Sequence, residues 1–206
     1  MIKLNGVNVP SQTNVLTADD STNPKGAYHL ANNPELFQPQ MTNNFMFVVT
    51  GLDSLLSVGT NRVIERAQDY LKMSVSAATI PHFTQTPIMI PRGNTTIKAA
   101  GKPEFQDAPI VVDDYIGANT KDILMSWQNL SYNVETEKVG LMGDYKKDCY
   151  LIEYTPDEQE VRRWKLKGCW ISQINEGQYS WDGNDKQRIQ VTIQYDYAYI
   201  DKSGII

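Results

Sequence analysis

The chain has 206 residues, 41% of them hydrophobic and 21% charged, enough for one generous domain burying roughly 70% of the surface its unfolded chain exposes. A formal net charge of -5 at pH 7 and a pI near 5.0 exclude the basic footprint by which proteins grip nucleic acid through counterion release. No apolar run reaches the ~18 residues of a membrane span, and the start MIKLNGVNVPSQTN lacks the pattern of a secretory signal, so the expected compartment is a cytoplasm.

Residues 1–40 are rich in Asn, Thr, Pro and Ser, with Pro10, Pro24, Pro34 and Pro39 interrupting any period, and read as an extended or flexible N-terminal arm. Val15, Leu16, Tyr28, Leu30, Leu36 and Phe37 are apolar residues with which such an arm could dock. Residues 41–206 read as a single β domain. NNFMFVVTGL, Asn43 to Leu52, is the first core strand, ending in a glycine. In GTNRVIERAQDYL the residues Val63, Ile64, Ala67, Tyr70 and Leu71 recur at helical spacing, which predicts a helical insertion near 60–71 with Thr60 or Asn61 as its cap.

The next stretch is β-prone but cut by Pro81, Pro87, Pro91 and Pro103, each lacking the N–H that a central strand donates, so it is expected to form bent or edge strands. PIVVDDYI is another strand. ANTKDILMSWQNL then places Ile123, Leu124, Trp127 and Leu130 on one helical face, with Asn119 or Thr120 at the N-cap. The last third reads as β: DCYLIEYTP, then VRRWKLKGCWISQINEGQYSW, then RIQVTIQYDYAYI, with turns at Thr155-Pro156-Asp157 and Asp182-Gly183-Asn184-Asp185. Strands broken by one convincing helix predict a mainly β domain, a β-sandwich or partial barrel with a flanking α-helix.

Catalytic chemistry finds little support in these residues. Only His29 and His82 are present, one in the arm and one after a proline, and no nucleophile elbow, phosphate loop or paired zinc motif occurs. Asp113 and Asp114 are strand neighbours that point to opposite faces, and WDGND lacks the spacing of a calcium loop. No cofactor and no metal is expected. Cys149 and Cys169 read as buried thiols rather than a disulfide. Trp164, Trp170 and Trp181 leave open a carbohydrate-binding sandwich, although aromatics on strands more often fill a core.

RIQVTIQYDYAYI, Arg188 to Ile200, would span about 40 Å as one strand, twice an ordinary length. Its alternation assigns Ile189, Val191, Ile193, Tyr195, Tyr197 and Tyr199 to the core, with Trp127 from the helix, and Gln190, Thr192, Gln194 and Asp196 to the polar side. An edge of that length demands cover, which a ring of identical subunits sharing one barrel provides. The polar side then lines the hole, and it carries no Lys or Arg between Ile189 and Ile200.

The order FMFVVTGL, SAATIPHF, TIKAAGKPEFQDAPIVVDD, a helix carrying Trp127, and then VRRWKLKGCWISQINEGQYSWDGNDKQRIQVTIQYDYAYI resembles the tail tube proteins of contractile-tailed bacteriophages, over roughly Asn43 to Asp201. The resemblance implies a non-enzymatic virion subunit. It implies hexameric rings stacked into an inner tube that conducts genomic DNA during contraction, with a tail sheath, baseplate and tail terminator as partners and assembly in the host cytoplasm. A tube-initiating baseplate protein and a secretion-system tube subunit are alternatives within the same class.

Overall fold

The computed structural model describes residues 2–4, 7–9, 38–52, 54–56 and 63–201. Most of the predicted N-terminal arm, with His29, Thr60 and Asn61, lies outside the described residues; Ile2–Leu4 and Val7–Val9 pair as short antiparallel strands.

One antiparallel sheet organises the rest. Its strands, numbered in chain order, are β1 (Phe45–Thr50), β2 (Val75–Ala78), β3 (Ala108–Asp113), β4 (Lys147–Tyr154), β5 (Glu160–Asn175), β6 (Arg188–Gln194) and β7 (Tyr197–Ile200). The spatial order is β1-β4-β5-β6-β3-β2, with β7 continuing beside the first half of β5. The sheet curls until residues of its two edge strands, Phe45 on β1 and Ser76 to Ala78 on β2, line one cleft of about 450 Å³. This is the expected mainly β partial barrel.

Alternation builds its interior. Phe47 and Val49 of β1, Cys149 and Leu151 of β4, Ile110 and Val112 of β3, and Ile189, Val191 and Ile193 of β6 are all buried. At about 25 cal/mol per Å² of apolar surface, each large side chain contributes roughly 1.5–3 kcal/mol relative to exposure. The helices α1 (Ala67–Ser74) and α2 (Thr120–Ser131) pack on each other, α1 against β1 and α2 against β5; a single turn, α3 (Met142–Tyr145), follows.

The helix over Thr120–Ser131 matches its sequence pattern, with Ile123, Leu124 and Trp127 fully buried. Asn119 occupies the N-cap position in the left-handed region (φ 49°) but makes no side-chain cap bond. The Thr120 hydroxyl instead meets Ser74 Oγ at 3.1 Å, a buried polar contact that ties α2 to α1. The predicted insertion near 60–71 is different from expectation. Val63–Glu65 is a strand paired with Ser54–Leu56, and the helix begins only at Ala67, after Arg66 adopts φ 60°. Ile64, β-branched and buried opposite Leu55, gains more from that pairing than from a helical turn.

Cys149 and Cys169 are free, buried thiols on adjacent strands. Burial pushes the Cys149 thiol well up, with the neighbouring Cys169 adding to the effect, so at pH 7 it stays protonated and unreactive. Iodoacetamide is therefore expected to leave both cysteines unmodified in the folded protein and to alkylate both in urea; labelling of the native chain within minutes would mean that β4 and β5 separate readily.

Candidate assembly surfaces

The stretch from Arg188 to Ile200 does not form one strand. It runs beside β5 throughout, but Tyr195 and Asp196 bulge between β6 and β7, where the Asp196 N–H donates to the Lys167 carbonyl at 2.9 Å. The truly long strand is β5, whose 16 residues span about 50 Å. Gly168 on β5 makes the bulge possible: it has φ +70°, and a Cβ there would overlap the Asp196 carboxylate. Lys146 binds that carboxylate at 2.8 Å.

This bulge adds no residue to the ladder, since Gln194 stands opposite Trp170 and Tyr197 opposite Lys167, but its kinked backbone exchanges the faces beyond it. Ile189, Val191, Ile193 and Tyr195 lie inside, Tyr195 at 8% exposure with its hydroxyl donating to the His82 carbonyl at 3.3 Å. Tyr197 and Tyr199, expected in the core, are 49% and 42% exposed; Ala198, opposite the buried Leu166, takes the inward position instead. The rings of Tyr197 and Tyr199 stack on the outside with centroids 6.2 Å apart.

Gln190, Thr192 and Gln194 share the outer face of β6, as the alternation requires, while Asp196 is held in the bulge by Lys146. The structure also brings to this face lysines that the strand's own sequence does not contain. Lys167 and Lys165 of β5 stand opposite Tyr197 and Tyr199. Both are engaged: Lys167 with Asp148, and Lys165 over the Tyr150 ring at 5.2 Å from its centre.

The Pro-cut segment forms a feature not foreseen in the sequence, an arm that leaves the barrel after β2 and returns at β3. Phe83–Gln85 pairs with Pro103–Phe105 at its base, and Ile88–Arg92 pairs with Thr95–Ala99 toward its tip. Both strands of a two-stranded ribbon are edges, so Pro91, opposite Thr96, costs no central ladder bond. Phe105 anchors the base against Tyr195, with rings 5.8 Å apart, and Gln194 Nε2 donates to Asp107 Oδ1 at 2.5 Å. Beyond the base, Ile88, Met89, Ile90 and Ile97 are all exposed. A hydrophobic ribbon standing in water is an unfinished interface.

Such a chain is built to bury edges and apolar ribbon against other protein, and the sequence comparison agrees: the family model of the T4-like virus tail tube protein gp19 matches residues 71–199. The chain belongs to this tail tube family. No curated protein matches it. Among solved structures, it is similar to a chain of the sheath-tube complex of an extracellular contractile injection system, PVC, in the extended state, at 13% identity and a TM-score of 0.57, covering 85% of this chain and 97% of that one. It is also similar to a chain of the anti-feeding prophage tube-terminating cap, at 14% identity and a TM-score of 0.56, covering 80% and 91%. At these identities the likeness is one of fold.

As a tail tube protein, this chain carries its function in its surfaces. Among the described residues no cluster of His, Cys, Asp and Glu suits a metal ion, and no helix is long and apolar enough to cross a membrane. Asp113, one of the two adjacent carboxylates noted above, is buried at the end of β3 and accepts from Lys186 at 2.5 Å, with Arg188 at 3.7 Å. It fastens the start of β6. His82 lies at the base of the arm, its ring 3.4 Å from the Ile80 carbonyl.

Proposed function

We propose that this chain is the structural subunit of the inner tube of a contractile tail, forming hexameric rings that stack head to tail and conduct the genome. The exposed apolar ribbon carries this reading, since the isolated subunit cannot bury it and a second copy can. The subunit is not an enzyme. Its partners are further copies of itself, the tail sheath, the baseplate and the tail terminator, and its place is the virion tail after assembly in the host cytoplasm.

In this reading the outer face of β6, with Gln190, Thr192 and Gln194 and the adjoining Asp196, lines the channel. Gln190, Thr192 and Gln194 offer no fixed cation to a passing phosphate backbone, Arg188 at the start of the strand lies 3.7 Å from the Asp113 carboxylate, and the adjoining Lys165 and Lys167 are engaged by Tyr150 and Asp148. Electron microscopy of the purified wild-type chain should show rings or tubes; monomers alone at every concentration would overturn the tube reading. Gln190→Lys should still assemble, because its side chain is exposed on the outer face of β6, yet particles built from it should lose infectivity by at least roughly tenfold as the added cations hold DNA. Normal infectivity would overturn the channel assignment.

A further inference from the structure

We infer that the loop joining β5 to β6, residues 176–187, is the surface on which the arm of a second copy of this chain docks. The inference rests on the tube reading and specifies which surface receives the arm.

Position supplies the first argument. The loop enters β6 at Arg188, whereas the arm's base is tied to its other end, where Gln194 holds Asp107. The two projections thus leave opposite ends of one strand, about 20 Å apart. One chain cannot bring them together, but translation of a second copy can, and the contact so made leaves each copy with one arm and one loop still to fill. Such a heterologous contact repeats without closing.

Exposure supplies the second. Trp181 is 105% exposed, as open as in an isolated peptide, and Tyr179 is 78% exposed. Large aromatic side chains at a hairpin tip are the residue types that dominate interface energetics once a partner covers them. The arm offers apolar cover of the matching kind in Ile88, Met89 and Ile97, each more than half exposed.

Charge supplies the third and chooses the partner. From Ile88 to Lys102 the arm carries Arg92, Lys98 and Lys102 and no acidic residue. The loop carries Glu176, Asp182 and Asp185 against Lys186. Lys186 is committed to Asp113 and Glu176 to Lys121, while Asp182 and Asp185 are exposed and form no ion pair among the described residues. A cationic apolar ribbon and an anionic aromatic loop attract each other and repel their own kind, which fixes head-to-tail over head-to-head contact.

The test is a charge exchange, read as tube length in electron micrographs and as the protein concentration at which tubes appear. Arg92→Glu/Lys98→Glu and Asp182→Lys/Asp185→Lys should each abolish long tubes, leaving rings or short stacks, and the four changes combined in one chain should restore tubes. Trp181→Ala should raise the concentration needed by at least roughly tenfold. All five positions are exposed, and unchanged circular dichroism and Tm confirm that each variant folds. Tubes from Trp181→Ala and Asp182→Lys/Asp185→Lys at the wild-type concentration would overturn this docking while leaving the tube reading intact. Failure of the fourfold exchange to restore tubes would likewise overturn it. Absence of tubes from the wild-type chain would instead overturn the tube reading itself.

Discussion

Replacing Trp127 by alanine is expected to destabilise the subunit by about 3–5 kcal/mol, the range for deleting a large buried aromatic. The indole is 1% exposed on α2, beside the fully buried Ile123 and Leu124. Its Nε1–H also donates to the Tyr145 carbonyl at 3.0 Å, fastening α3 to the core. Two contributions are therefore lost together, the packing of the ring and the hydrogen bond. Trp127→Phe separates them: it keeps much of the apolar volume and leaves a carbonyl unsatisfied, at a cost nearer 1–3 kcal/mol. Urea unfolding followed by far-ultraviolet circular dichroism, at a concentration where no tubes form, measures both. A loss below about 1 kcal/mol for Trp127→Ala would mean that α2 does not hold the core as described.

Gly168→Ala is expected to cost about 2–4 kcal/mol, from left-handed backbone strain and overpacking combined. At φ +70° an alanine is strained whatever its surroundings, and here its methyl group meets the Asp196 carboxylate. Asp196 must then move, loosening its ion pair with Lys146 and its N–H bond to Lys167. The exposed ion pair is worth little by itself, so the bulge rather than the charge carries the effect. Adding Asp196→Ala to Gly168→Ala removes the overlap but not the strain, and should recover roughly half of the loss, read as a coupling in a double-mutant cycle. A neutral Gly168→Ala would show that the bulge is not where β5 pins β6 and β7.

How much of this was legible in the sequence depends on how local each signal is. The alternation of Ile189, Val191 and Ile193, and the helical stripe of Ile123, Leu124 and Trp127, are set by neighbours within a turn or two and emerge as read. The bulge at Asp196 depends on Gly168, 28 positions earlier, and on a strand pairing that period alone does not contain, so alternation alone puts Tyr197 and Tyr199 on the wrong face. Val63 and Ile64 satisfy a helical spacing, yet Ile64 is settled by Leu55 across a hairpin. The prolines at 81, 87, 91 and 103 correctly signalled edge strands. That those strands form an arm, and that its base is locked by Phe105 on Tyr195, follows only from the tertiary fold. For the outer face of β6, the alternation gives Gln190, Thr192 and Gln194 but not the neighbouring Lys165 and Lys167, which arrive from the adjacent strand.

The arm and the Trp181 loop leave opposite ends of β6. Any head-to-tail polymer of this chain is consequently directional: one terminus displays a crown of cationic apolar ribbons, the other a crown of anionic aromatic loops. Growth at the two termini then proceeds at different rates, and a protein that starts the polymer must present the opposite chemistry to one that stops it.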